Sequence, residues 1–154
     1  PQALKAIAEA DVIILGPGSF YTSVVSNLLI KDLKDELLKS SAKKIFICNI
    51  MSQPGETDGY SADEYLYILR DYVGKNIIDY ILINSSQISE NLLKKYSKQN
   101  SFPIDFCEQK AKDLEETDKV ISDFFSEEHS QDSVFARHDP EKLAMKIKEI
   151  IERN

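Results

Sequence analysis

The chain has 154 residues, of which 42% are hydrophobic and 29% charged, with a formal net charge of -7. That length supports one domain with a buried core, and interspersed charges of net acidic sign exclude a polyphosphate backbone as the natural partner. No apolar run approaches the roughly 18 residues of a membrane span, no secretion or transit signal is present, and Cys48 and Cys107 lack Cys-x-x-Cys spacing, so they read as buried free thiols of a reducing cytosol.

Pro1 leads straight into a helix-like segment with Ala3, Leu4, Ile7 and Ala8 on one face. A helix that feeds a first strand usually follows another strand, so the chain is expected to be the C-terminal part of a longer protein. Asp11 to Gly16 is a continuous apolar run ending in glycine, the pattern of a strand buried on both faces of a parallel sheet. A turn at Pro17-Gly18-Ser19 leads into a helix predicted from about Thr22 to Leu38, with a break near Asp32. The second strand is predicted over Lys44 to Ile50, and the polar loop Met51 to Tyr60 leaves it. Ser61 and Glu64 have capping-box spacing and open a helix that runs to Gly74, a C′-type residue.

A third strand is predicted over Ile77 to Asn84 and a helix over about Ser89 to Tyr96. Short strands are expected around Ile104–Cys107 and Val120–Phe125, then a polar acidic loop from Ser126 to Asp132 and a short edge strand from Val134 to Arg137. Asp139-Pro140 has the N-cap and first-turn chemistry of a helix start, and Leu143, Ile147, Ile150 and Ile151 share its face. Strands alternating with helices imply one α/β domain, a mostly parallel sheet with helices on both sides. In such sheets ligands bind beyond the carboxyl ends of the strands, which points to the loops Gly16–Ser23, Asn49–Gly59 and Asn84–Gln87.

The most informative stretch is Gly16-Pro17-Gly18-Ser19-Phe20-Tyr21-Thr22-Ser23. Glycines allow close approach of backbone to a ligand, the first amides of a helix are donors of partial positive charge, and Ser19, Thr22 and Ser23 add hydroxyls, which together suit phosphate or carboxylate. The competing reading is a plain strand-to-helix turn in which Ser19 or Thr22 caps. The stretch is neither the dinucleotide fingerprint nor a Walker loop, and Ser19 is not in a nucleophile elbow. In the second loop Asn49 and Gln53 could bond a base edge or sugar hydroxyl, and Glu56 could bind ribose hydroxyls or a metal, or act as a base. Asp58 reads as a solvated turn residue. Asn84, at the tip of the third strand, is either a turn former or a ligand contact. Arg137 suits phosphate, His138 reads as a surface residue ahead of the last helix, and His129 carries no signal. Two histidines without matching cysteines make a zinc site improbable, and no metal is expected.

Four blocks, Gly16–Ser23, Asn27-Leu28-Leu29, Cys48–Thr57 and Arg137-His138-Asp139-Pro140, resemble the gluconeogenesis factor family, which is related to the phospholactate transferase (CofD) of deazaflavin coenzyme biosynthesis. The blocks span nearly the whole chain. The resemblance implies a Rossmann-like three-layer α/β sandwich, a cytoplasmic bacterial protein, and binding of UDP-sugars such as UDP-N-acetylglucosamine, with effects on carbon metabolism, cell-wall synthesis and cell shape. By carry-over, Gly16, Gly18, Ser19, Tyr21, Thr22, Asn49, Gln53 and Glu56 would lie in the ligand cleft, with Arg137 approaching from the C-terminal end; Pro17, Ser23 and Asn84 join them as ligand-binding candidates from their own loops. The family's glycine-rich loop and its Asp-Asp-Gly-Gly-Ser-Ser-Gly segment are not in these residues, so half of the cleft is expected outside them. The transferase branch resembles Gly-Pro-Ser-Asn-Pro at the first loop. Here it is Gly-Pro-Gly-Ser-Phe, which favours a regulatory binding protein over an enzyme that transfers a phospho-organic group. A purely scaffolding domain is the third reading. Catalytic residues are not assigned, a UDP-sugar is the one ligand implied, and regulatory protein partners and a homo-oligomer stay open.

Overall fold

The computed structural model describes residues 1–74, 77–106, 117–130 and 133–153. Helix α1 (Gln2–Glu9) precedes β1 (Val12–Leu15). A π-helical segment, Phe20–Val25, continues as the short α2 (Ser26–Leu28) and is followed by α3 (Lys31–Lys39). Then come β2 (Lys43–Ile47), α4 (Ala62–Val73), β3 (Tyr80–Asn84), α5 (Glu90–Ser97), β4 (Asp118–Ser122), β5 (Phe125–Ser130), β6 (Ser133–His138) and α6 (Pro140–Glu152).

Strands β1 to β4 form one sheet in that spatial order, and each neighbouring pair is parallel. The apolar runs form this sheet, successive side chains pointing to opposite faces. β2 and β3 are buried on both faces, whereas β1, expected to be so, is an edge strand with Ile14 exposed. Phe46, Ile81 and Ile83 face a core built with Phe20, Leu28, Leu37, Tyr65, Leu66 and Leu69. Ile45, Ile47 and Leu82 face the opposite side, where Ile150 and the half-buried Leu143 and Ile147 of α6 cover them. Helices therefore cover both faces, which is the expected three-layer α/β arrangement.

A third cluster, Ile50, Met51, Leu92 and Ala136, packs α5 against the antiparallel β5–β6 hairpin. Among the described residues no helix is long and apolar enough to cross a membrane.

The elements depart from expectation at six places. β2 ends at Ile47 rather than Ile50, and the strand expected over Val120–Phe125 is β4, which starts at Asp118 and ends at Ser122. The helix predicted from Thr22 begins at Phe20 as a π turn and breaks at Ile30, whose extended backbone (ψ 108°) forms the N-cap of α3, two residues before the expected break. β3 starts at Tyr80, although Ile77 and Ile78 ahead of it are buried. No strand occupies Ile104 to Phe106, and Cys107 lies outside the described residues. The acidic loop expected over Ser126–Asp132 is instead strand β5 as far as Ser130. Its residues Glu127, Glu128 and His129 are exposed, so pairing with β6 in register, rather than burial, holds it extended.

Candidate functional site

Two elements bring the site together at the carboxyl ends of β1 and β2. Gly16 closes β1 with φ +80°, and a Cβ there would lie 2.9 Å from the Ile47 carbonyl oxygen, so both conformation and close approach call for glycine. The Gly16–Pro17 bond is cis. The chain then turns at Ser19, and Phe20 anchors the turn in the core, its ring centroid 4.5 Å from that of Tyr65 and 6.1 Å from that of Phe46.

The side chains leaving β2 hold this turn. Asn49 Nδ2 donates to the Gly18 carbonyl at 2.9 Å, and the Gly18 amide donates back to Asn49 Oδ1 at 3.4 Å. The Phe20 amide donates to Gln53 Oε1 at 3.2 Å. Ser19 Oγ donates to Glu56 Oε2 at 2.8 Å and accepts from the Thr22 hydroxyl at 2.5 Å. The Thr22 amide reaches Ser19 Oγ at 3.4 Å, and the Ser23 amide donates to the Ser19 carbonyl at 2.9 Å. The expectation of free amides at the helix start is thus corrected. Those of Phe20, Thr22 and Ser23 have acceptors, because Ser19 caps the turn and Gln53 reaches across from the neighbouring loop.

The β2 exit loop is itself braced. Gln53 N donates to the Thr57 hydroxyl at 2.8 Å, and Gly55 N to Asp58 at 2.7 Å, so Asp58 is the turn residue it was read as. Ser52 is tied to the segment after α5 by Ser52 N to the Phe102 carbonyl at 2.7 Å and Ser101 Oγ to the Ser52 carbonyl at 2.6 Å.

Against this floor stands the end of β6. His138 Nε2 meets the Cys48 carbonyl at 3.1 Å, so the residue read as a surface position is half-buried and tied to the end of β2. Burial holds the imidazole pKa below its ordinary value, opposed in part by that carbonyl. Arg137 Nε donates to Glu128 at 2.9 Å, and its guanidinium carbon lies 5.3 Å from the centre of the Phe135 ring.

Pro17, Gly18, Ser19, Asn49, Gln53, Glu56 and Arg137 together line one cavity of about 670 Å³. His138, Ser52, Tyr96, Gln99 and Ser101 complete its polar wall. These five were not singled out as site residues. The Arg-His-Asp-Pro block was a signal for His138, whereas Tyr96 and Gln99 gave none.

The remaining candidates lie elsewhere. Gly16 shapes the loop from below. The Tyr21 hydroxyl bonds that of Tyr60 at 2.9 Å, and this bond, with burial, pushes its pKa up to about 12. Thr22 and Ser23 are exposed beyond the cavity. Asn84 is a turn former, accepting from the Phe124 amide at 3.0 Å and donating to the Ser86 carbonyl at 3.3 Å, and it borders a separate cavity.

Chemically, the main cavity offers amides, hydroxyls, one carboxylate, one imidazole and one guanidinium. Among the described residues no three His, Cys, Asp or Glu side chains are grouped to hold a metal.

Residues 1–149 match the family described as 2-phospho-L-lactate transferase CofD. The chain is 43% identical over 148 residues to the gluconeogenesis factor of Halalkalibacterium halodurans, covering 96% of this chain and 44% of that protein. It is 38% identical over 154 residues to the gluconeogenesis factor of Bacillus subtilis, covering 98% of this chain and 46% of that one. A crystal structure of a Bacillus halodurans protein superposes with a TM-score of 0.86 at 39% identity, over 96% of this chain and 46% of that chain. The chain spans somewhat under half the length of these relatives. The chain therefore belongs to the CofD family, and its named relatives are bacterial gluconeogenesis factors.

Proposed function

We propose that this chain supplies one side of a cleft for a nucleotide-sugar, of the UDP-N-acetylglucosamine class, in a cytoplasmic binding protein that regulates carbon metabolism and cell-wall synthesis. The observation that carries the reading is the single cavity in which the ends of β1 and β2 meet Arg137. Side-chain amides and hydroxyls can bond the many hydroxyls of a sugar, and one guanidinium at the rim suits one diphosphate. A wall of mixed polar groups with few charges fits such a ligand better than a bare polyphosphate. Resemblance to gluconeogenesis factors supports the regulatory branch.

The test is calorimetry of UDP-N-acetylglucosamine on the full-length protein. Binding is expected, with a loss of about 1.5–3 kcal/mol in Arg137→Ala, the range of a hydrogen bond to a charged group. No heat at millimolar ligand would leave a scaffolding domain instead.

The description of the family as a transferase supports a second reading, transfer of a phospho-organic group from a nucleotide diphosphate donor, with Glu56 beside the reacting group. Incubation with UDP- and GDP-linked donors, with and without magnesium, separates the two. Turnover replaces the first reading with the second.

A further inference from the structure

We propose that Glu128 is a specificity-determining residue of this cleft, a resident counter-ion that holds Arg137 until the phosphate of a ligand displaces it. The inference rests on the reading of the cavity as a site for a phosphate-bearing ligand. The register of the hairpin pairs Ser126 with Arg137 and Glu128 with Phe135. Glu128 therefore lies diagonally across from Arg137 on the same face of the ribbon, within reach of a long side chain. The contact is direct, Arg137 Nε to Glu128 Oε2 at 2.9 Å, with the guanidinium resting over Phe135.

Side-chain exposures of 58% for Arg137 and 59% for Glu128 leave the pair open to water. Such pairs are weak and exchange readily. Arg137 at the same time lines the cavity that contains Gly18, Ser19 and Asn49. An arriving phosphate offers several charged oxygens to the planar guanidinium fork, whereas Glu128 engages it through the Nε–H alone. A phosphate or diphosphate wins that exchange. A monocarboxylate gains little over Glu128, and an uncharged sugar leaves the pair closed. Glu128 thus narrows the ligands that can recruit Arg137 to those carrying phosphate. The acidic strand β5 has a role on this account: it carries the competing charge to the rim of the cavity.

The experiment is calorimetry of UDP-N-acetylglucosamine on the full-length protein and on Glu128→Gln, Arg137→Ala and the double variant. Removing the competitor is expected to tighten binding about 1.5- to 5-fold, the range set by the strength of exposed ion pairs. In the Arg137→Ala background the same change is expected to have no effect, since the two residues act through one contact. An equal gain in both backgrounds, or none in either, overturns the proposal, because Glu128 then acts by net charge alone or not at all.

Sodium pyrophosphate, followed by the NMR resonance of the Arg137 Nε–H, keeps the two readings separable. A shift that saturates at lower pyrophosphate in Glu128→Gln sustains the counter-ion role even where the nucleotide-sugar fails to bind. A nucleotide-sugar that binds with no Glu128 effect sinks the counter-ion role and leaves the cleft. An Arg137 resonance that neither anion moves ends both.

Discussion

Gly16 and Gly18 stand two residues apart in one loop and are glycine for different reasons. Gly16 has φ +80° and no room for a Cβ against the Ile47 carbonyl, while a Cβ on Gly18 would sit 3.4 Å from Ser23 Cβ, close to ordinary contact. Gly16→Ala is therefore expected to cost at least about 1–2 kcal/mol, the penalty of a left-handed backbone for an L side chain, with the close approach adding to it. Gly18→Ala is expected to cost clearly less. Urea midpoints of the two variants check this, and equal midpoints would show that the backbone of Gly16 is not constrained as described.

Asn49 and Gln53 make the same point from the polar side. Residue type and place at a strand tip marked them as ligand contacts, yet their amides bond Gly18 and Phe20. A sequence indicates that a side chain can form hydrogen bonds. It does not say whether a loop 31 or 33 residues away in the chain takes them first.

At the scale of elements, local chemistry was legible wherever the signal lies within one turn. The Ser61–Glu64 box is present, with the Ser61 amide donating to Glu64 at 2.7 Å. Asp139 accepts from the amides of Glu141 at 3.0 Å and Lys142 at 3.1 Å ahead of Pro140, as its cap position requires. Of the hairpin, β6 was legible as a short strand and β5 was not. β5 has almost no apolar face, and only its pairing with β6 keeps it extended.

The hairpin is joined to the end of β2 through His138 and the Cys48 carbonyl. Burial lowers the folded-state pKa of His138 below its ordinary 6.5. The unfolded chain therefore binds the proton more readily, and stability contributed by this site is full above about pH 6.5 and falls as pH drops towards the folded-state value. Denaturation midpoints of the wild type and His138→Asn between pH 5 and 7.5 are expected to converge as the pH falls. A gap that stays constant across that range would show that His138 does not titrate in this way.

At the scale of the molecule, Lys43 ties the start of β2 to the C-terminal end of α6. Its ammonium donates to the Ile150 carbonyl at 3.0 Å and the Ile151 carbonyl at 3.3 Å, and also to that of Arg153, so it closes the C-terminus of α6 from the first residue of β2. A cation at this end satisfies orphan carbonyls and complements the helix dipole. Lys43→Met is expected to cost about 0.3–1 kcal/mol and to speed amide exchange in the last turn of α6 while β3 keeps its protection. Unchanged exchange there would show that the apolar face of α6 holds the helix alone.

The parallel α/β order, part of the core and the capped starts of α4 and α6 could be read from the residues, because they depend on periodicities of 2 and 3.6 and on caps a few residues long, although Ile14 and Ile151, read on apolar faces, are exposed. The cavity, the occupied amides of the first loop, the burial of His138 and the placing of Glu128 against Arg137 could not. Each depends on groups brought together from distant parts of the chain, and pairing between them is settled by register and packing after the sheet has formed.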